Sequence, residues 1–394
     1  MKVRTSNILY FFMIFLSCGS YMISHSTIPK VYDKSMIIIH LFDYISYILG
    51  IWLIIKSKHP KRYIIYYAII AFLLLISSIF ARDVILLKGL IIVIASKNIE
   101  IKKIIKNYLI VITLFTFLIA MLCLLNKIPD VTEVRWTTGN IRYSLGFSHP
   151  NRLGYILFLF SMARLYSQYS KYGIRDIIFN ILMLTISVYI SNSKSVAVLI
   201  AIVLTIELYF ILFPKRNTLW IKELCKMILI LAPLLSWFTT IIYNANNGVY
   251  LAINEFFTGR LYLANTAYKK YGFSILGQRI DSILALEASR AGMQVLAIDN
   301  FYTYITIHFG IIIIFIIIIA FAMFVKKAIS NTNNDILLLW LFLIIIYGMF
   351  ENQIIDLRIN FPVVILFCAL IKNSDKFYFE SQDYTVKRRF SVRS

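Results

Sequence analysis

Hydrophobic and polar positions alternate along this chain in long blocks rather than residue by residue. Apolar runs fall at about residues 7–25, 36–55, 63–81, 84–96, 107–125, 152–168, 176–191, 195–213, 221–243, 302–325, 336–350 and 358–371. A helix needs roughly 20 apolar residues to cross the hydrocarbon of a bilayer. Only helices or closed barrels satisfy their backbone there. The run 311–319 is continuous rather than alternating, which excludes a barrel. The pattern therefore predicts an all-α polytopic membrane bundle of about twelve transmembrane helices, with the fourth and last runs the shortest. The first run follows Met1-Lys2-Val3-Arg4 and shows no small-residue cleavage site, so it reads as an uncleaved anchor.

Two polar stretches interrupt this body, 126–151 and 244–300, and a basic tail occupies 372–394. The whole chain, 1–394, reads as one membrane domain carrying two long loops. Between 279 and 297, Ile280, Ile283, Leu284, Leu286 and Leu296 stand against Arg279, Asp281, Glu287 and Arg290. That pattern predicts an amphipathic helix, lying on the membrane or packed on the bundle.

Composition agrees: hydrophobic residues make up 60% and charged residues 15%, with mean hydropathy +0.78, whereas soluble domains carry about 25% charge. The net charge of +21 raises the question of nucleic acid. Lys and Arg fall between the apolar runs instead of on one polar domain, which argues against that partner. The four cysteines lie in or beside apolar runs without CxxC or metal-ligand spacing; neither disulfide, metal nor cofactor is expected.

Placing the N-terminus in the cytoplasm puts seven segments inside that together hold 25 of the 40 Lys and Arg residues. The positive-inside rule then places both termini in the cytoplasm and both long loops outside a cell membrane. On that outer face stand Lys127, Arg135, Arg142, Arg260, Lys269, Lys270, Arg279 and Arg290. As a set they suit an anionic ligand such as a lipid diphosphate; taken singly, each is also explained as solvated loop charge.

Residues 146–154 read Gly-Phe-Ser-His-Pro-Asn-Arg-Leu-Gly. Ser191-Asn-Ser-Lys-Ser195 opens the eighth run, Thr258-Gly259-Arg260 lies in the larger loop, and Asp299-Asn300-Phe301-Tyr302 closes it before Gly310. Tyr347-Gly348-Met349-Phe350-Glu351 ends the eleventh run. In this order the segments resemble the Wzy-type polysaccharide polymerases of the O-antigen ligase/polymerase superfamily, over about residues 60–370. Lys194 departs from the arginine of the family pattern, and Asp299 stands where the ligases carry histidine, which favours polymerase over ligase.

The resemblance implies a fold of the GT-C membrane glycosyltransferase type and a nucleotide-sugar-independent activity. The substrate implied is an undecaprenyl-diphosphate-linked oligosaccharide, with a chain-length regulator and a flippase as pathway partners. Lys194, Arg260, Arg290 and Arg142 are the candidates for diphosphate binding, and Asn151, Asn300, Tyr302 and Glu351 for substrate contact. Asp299, His149 and Arg260 are the catalytic candidates, as acid–base groups and charge stabiliser. Asp299 is equally explained as a helix cap, and His149 as part of a turn before Pro150. Gly146 and Gly154 are more simply sites of close packing.

Polar residues inside the runs, His40, Asp43, Arg82, Asp83, Lys88 and Glu207, are expected to face a cavity or a partner. They suit the ion relay of a flippase or solute transporter as well as the lipid groove of a polymerase, and a ligase-like glycan transferase is a further alternative that the missing histidine counts against. No internal repeat supports the transporter.

Overall fold

The computed structural model describes residues 3–134, 139–169, 171–213, 219–280, 298–329 and 335–371. Helices α1 (Val3–Ser24), α2 (Ile28–Val31), α3 (Ser35–Lys56), α4 (Lys61–Ala81), α5 (Ile85–Ala95) and α6 (Ile101–Leu124) come first. An antiparallel ribbon follows, β1 (Glu133–Val134) with β2 (Ile141–Arg142). Then come α7 (Pro150–Ser167), α8 (Ile174–Tyr189), α9 (Lys194–Leu212) and α10 (Leu219–Ile242). The second polar stretch holds α11 (Gly248–Phe256) and α12 (Arg260–Tyr271), and the chain continues as α13 (Phe301–His308), α14 (Ile311–Ile329), α15 (Asp335–Phe350) and α16 (Phe361–Ile371). The amphipathic stretch expected over 279–297 lies almost wholly outside the described residues, as do Arg135 and Arg290.

The all-α membrane architecture is as the hydropathy pattern requires. Among the described residues seven helices, α1, α3, α4, α6, α9, α10 and α14, are long and apolar enough to cross a membrane. The other five expected runs are helical but fall short of that standard. Helices α5 and α16 have 11 residues, and α8 and α15 have 16. Helix α7 carries Asn151, Arg152 and Arg164, which lower its hydropathy.

The shortfall has a packing reason. Helices α7 and α15 are buried on nearly all faces and form the middle of the bundle, screened from lipid by their neighbours. The Trp340 indole N–H of α15 donates to Met162 O of α7 at 3.0 Å, and the Tyr155 and Tyr347 rings stack at 5.1 Å. By contrast α3, α4 and α6 turn residues such as Ile37, Ile55, Ile79 and Phe117 outward, an apolar belt suited to hydrocarbon.

The expected span at 302–325 is interrupted. Gly310 has φ +99°, and a Cβ there would lie 2.4 Å from Ile275 O, so only glycine fits. Chain from the preceding loop fills the break: Ile311 N–H donates to Ser274 O at 2.8 Å and Gln278 N–H to His308 O at 2.9 Å. The backbone groups freed between α13 and α14 therefore keep partners, as an apolar setting demands.

Candidate functional site

The ends of α7, α9, α12 and α15 converge on Glu351, just beyond the last turn of α15. Its carboxylate is buried and receives donors from three segments. Arg260 Nη2 reaches Oε1 at 2.5 Å, Asn151 Nδ2 at 2.9 Å and Ser195 Oγ at 3.4 Å, while Gln353 Nε2 lies 3.4 Å from Oε2. Arg260 Nε also faces Asp299 Oδ2 at 3.3 Å. One guanidinium thus bridges two carboxylates that are 52 residues apart in sequence.

Local backbone places each of these groups. Thr258 and Gly259 both adopt positive φ before α12, turning the chain so that Arg260 becomes its first helical residue. Gly154 brings α7 against Ser193, where a Cβ would sit 2.9 Å from the Ser193 Cβ. This close approach carries Ser195 towards Glu351. Lys194, the exposed first residue of α9, forms no ion pair among the described residues.

The smaller polar loop supplies a second layer. Glu133 and Arg142 are cross-strand partners in the β1–β2 ribbon, and Arg142 Nη1 meets Glu133 Oε2 at 3.1 Å. Arg142 Nε donates to Ser191 O at 3.1 Å, and Nη2 donates to the Asn151 side-chain oxygen. Asn151 therefore connects Arg142 to Glu351, fixing its amide orientation.

His149 caps α7: its Nδ1 accepts the Asn151 N–H at 3.0 Å. The ring proton is then on Nε2, which donates to Glu133 Oε1 at 3.1 Å. Burial, with Arg142, Arg152 and Arg260 nearby, pushes the imidazole down to about 3. The ring is neutral and both nitrogens are engaged.

The electrostatics of the central group follow from its enclosure. Burial raises the Glu351 carboxyl above its ordinary value; Asp299 adds to this, while Arg260 opposes it. Burial alone would lower Arg260, yet Glu351 and Asp299 outweigh it and hold the guanidinium above its ordinary value. Arg142 is pushed down by burial, opposed by Glu133 and Glu351.

The structure thus brings Arg142, His149, Asn151, Arg260, Asp299 and Glu351 into one hydrogen-bonded network. Two other sequence candidates are engaged in the framework instead. Asn300 caps α13 by accepting the Thr303 N–H at 3.0 Å, and its amide donates to Ser236 Oγ and Met349 O. The cap expected of Asp299 is therefore made by its neighbour, which leaves Asp299 for Arg260. Tyr302 is buried and donates to Ile345 O at 3.0 Å. Glu133 and Gln353 join the network without having been singled out from sequence, and Ser195, quoted there as the last residue of a motif, had been given no role.

Segment 351–360 runs buried between α15 and α16 and carries a second charged group inward. Arg358 pairs with Asp356 at 2.6 Å and Asp43 at 3.3 Å, and Lys88 pairs with Asp43 at 2.9 Å. The sequence expectation that Asp43 and Lys88 face partners is met in this way. On the other side of the same segment, Ile354, Ile355 and Leu357 line an apolar cavity of about 190 Å³ with Phe301, α4, α5, α14 and α16. Phe301 and Ile354 stand two and three residues from Asp299 and Glu351 in sequence, and from them the cavity runs along α5 from Leu86 to Ile94 and along α16 from Val363 to Ile371. Among the described residues no His, Cys, Asp and Glu group suits a metal ion. Comparison with protein families, curated proteins and solved structures finds no match to this chain.

Proposed function

We propose that this protein is a membrane glycosyltransferase of GT-C type that polymerises undecaprenyl-diphosphate-linked oligosaccharide repeat units into capsular or exopolysaccharide. In this reading the chain crosses the cytoplasmic membrane twelve times, both termini are cytoplasmic, and the network around Arg260 faces outward. The observation that carries it is the bridging of Asp299 and Glu351 by Arg260, with Phe301 and Ile354, two and three residues away in sequence, lining an apolar cavity. A charged site with apolar lining close by suits a substrate with a charged head and an apolar tail.

The transfer balances without a cofactor. The bond from the anomeric carbon to the diphosphate oxygen breaks, and the acceptor hydroxyl oxygen bonds to that carbon. Its proton passes to a carboxylate, and undecaprenyl diphosphate leaves with the electron pair. Asp299 suits the proton, because its side chain is 32% exposed against 4% for Glu351, and a base must reach its substrate. Arg260 suits charge stabilisation on the leaving group, and the framework around it supports pre-positioning. His149, with both nitrogens occupied, is better suited to holding the loop.

The chain of Lys88, Asp43, Arg358 and Asp356 favours one second reading, a lipid-linked oligosaccharide flippase or solute carrier with a charge relay. Deleting the gene separates the two. A polymerase deletion accumulates single lipid-linked repeats outside the cell, whereas a flippase deletion accumulates them inside. Long lipid-linked chains would instead identify a ligase.

A further inference from the structure

Helix α4 is fully buried only in its last turns. Leu74, Ser77, Ser78 and Ala81 are buried, and no residue of α4 before Leu74 is. The less enclosed half borders the apolar cavity, which Tyr67, Ile70 and Leu74 line on that side. Opposite them run Leu86 to Ile94 of α5, Ile313 to Phe321 of α14 and Val363 to Ile371 of α16. Each stretch rises by about 12 Å, against about 15 Å for the hydrocarbon of one leaflet. The cavity therefore has close to the length of one lipid chain. Contacts between the helices set its ends. Cys368 Sγ reaches Val93 O at 3.4 Å, and Lys327 Nζ donates to Ala369 O at 2.8 Å. Tyr67, Ile94, Phe321 and Ile371 thus mark one end, with Phe301 and Ile354 at the other.

The Tyr67 end carries polar groups with donors to spare. The Tyr67 hydroxyl is buried without a hydrogen-bond partner among the described residues, a costly state. Its ring lies 6.3 Å from the Tyr63 ring and 5.6 Å from the His59 ring. Lys97, just after α5, lies 5.6 Å over Tyr63 and joins the same group. A lysine ammonium has three donors and no acceptor. One donates to Lys58 O and one to His59 Nδ1, both at 3.3 Å, while His59 Nε2 faces Ile54 O at 3.1 Å. The third has no hydrogen-bond partner among the described residues, and Lys97 is only half-buried. Burial alone shifts Lys97, downwards, and no carboxylate acts on it. Glu100, the acid nearest in sequence, pairs with Lys103 at 2.8 Å. Lys56, Lys58, Lys61 and Arg62 stand exposed around the turn between α3 and α4.

We propose that this rim and cavity bind an anionic glycerophospholipid, its phosphate at Lys97, an ester oxygen accepting from Tyr67 and one acyl chain in the cavity. The rim is cationic, the lining is apolar and a free donor stands where they meet. A diacyl phospholipid carries the complementary parts in the same order. A free phosphate would leave the cavity unfilled, and a zwitterionic lipid would bring its own cation to Lys97. The occupant is a bilayer component and not a reactant, so the assignment is independent of glycosyl transfer. Its chain would pack the half of α4 that protein leaves open.

The full-length protein in neutral detergent would be titrated with dioleoyl phosphatidylglycerol, dioleoyl phosphatidylcholine, glycerol 3-phosphate and undecaprenyl phosphate. Native mass spectrometry reads the lipid retained, and the unfolding midpoint reads its effect. One phosphatidylglycerol per chain is expected to be retained and to raise the midpoint, with phosphatidylcholine weaker. Lys97→Gln should weaken phosphatidylglycerol about fivefold, the worth of one cation at a lipid surface. Tyr67→Phe should weaken both lipids about fivefold, the worth of one hydrogen bond. Ile70→Trp, which fills the cavity from its least enclosed wall, should exclude both. Equal affinity for the two lipids, or unchanged phosphatidylglycerol binding in Lys97→Gln, would overturn the anionic head. Unchanged retention in Ile70→Trp would overturn the chain in the cavity; should that variant not fold, unchanged retention in Tyr67→Phe does so. Glycerol 3-phosphate acting as well as the lipid would reduce the site to a phosphate site and overturn the proposal. Undecaprenyl phosphate binding more tightly than phosphatidylglycerol, and losing affinity in Ile70→Trp, would give the cavity to an isoprenoid and overturn it also.

Discussion

Arg260 and Glu351, 91 residues apart in sequence, meet at 2.5 Å in a buried ion pair. The first opens a helix in the larger polar loop, and the second ends the most enclosed helix of the bundle. Their contact ties the loop to the core, so the loop's catalytic candidates inherit the rigidity of the core.

Breaking that pair from one side leaves an uncompensated buried charge, which costs about 3–5 kcal/mol. Arg260→Gln and Glu351→Gln should each destabilise strongly, and the double variant should lose less than the sum of the two. Chemical unfolding of all four proteins measures the coupling. Simple additivity would show that the two side chains do not interact.

Polymer synthesis should respond differently to the two carboxylates. Asp299→Asn should lower the rate about 10²-fold or more, within the range for loss of a general base, with little change in stability because the side chain is partly exposed. Rates from a lipid-linked substrate assay, beside unfolding midpoints, decide this. An Asp299→Asn enzyme of wild-type rate would remove Asp299 as the base.

His149 makes stability depend on pH in a definite direction. Its folded value, about 3, lies below the ordinary 6.5, so the unfolded chain takes up the proton more readily. Stability from this group is therefore complete above pH 6.5 and declines as pH falls from there towards 3. Arg142, Arg152, Arg260 and Glu133 are the charges facing it. His149→Asn keeps a capping side chain but cannot titrate, so it should flatten the decline relative to wild type. Equal pH profiles would contradict an imidazole held neutral in the folded protein.

Asn300→Ala should behave as a framework change. Losing the cap costs about 1 kcal/mol, and Ser236 Oγ and Met349 O lose their donor as well. The unfolding midpoint should fall while KM for the lipid-linked substrate stays the same. A raised KM at unchanged stability would return Asn300 to substrate binding.

Gly310→Ala tests the break between α13 and α14. The left-handed backbone and the Ile275 carbonyl oppose a Cβ together, at a cost of about 2 kcal/mol or more. Gly173→Ala, where nothing lies within 4 Å, is the matched control and should be nearly silent. Similar midpoints for both variants would mean that the strap at 274–278 yields easily.

Block hydropathy made the helical membrane body legible, because runs such as 63–81 and 107–125 carry the signal in composition alone. It does not tell that α7 and α15 are enclosed by other helices, since burial within protein and burial in lipid select the same apolar residues. The motif residues Arg260, Asn151, Arg142 and Glu351 were legible as polar groups beside membrane boundaries. Their pairing was not, because contacts 91 and 200 residues apart leave no local pattern.

Helices α5 and α16 pack against each other and each spans only 11 residues. At 1.5 Å per residue that is about 16 Å, roughly half the thickness of a bilayer's hydrocarbon. Every residue of the pair is buried or half-buried, so neighbouring protein rather than lipid meets their short ends, and the bundle carries two half-length helices without a polar end standing in hydrocarbon.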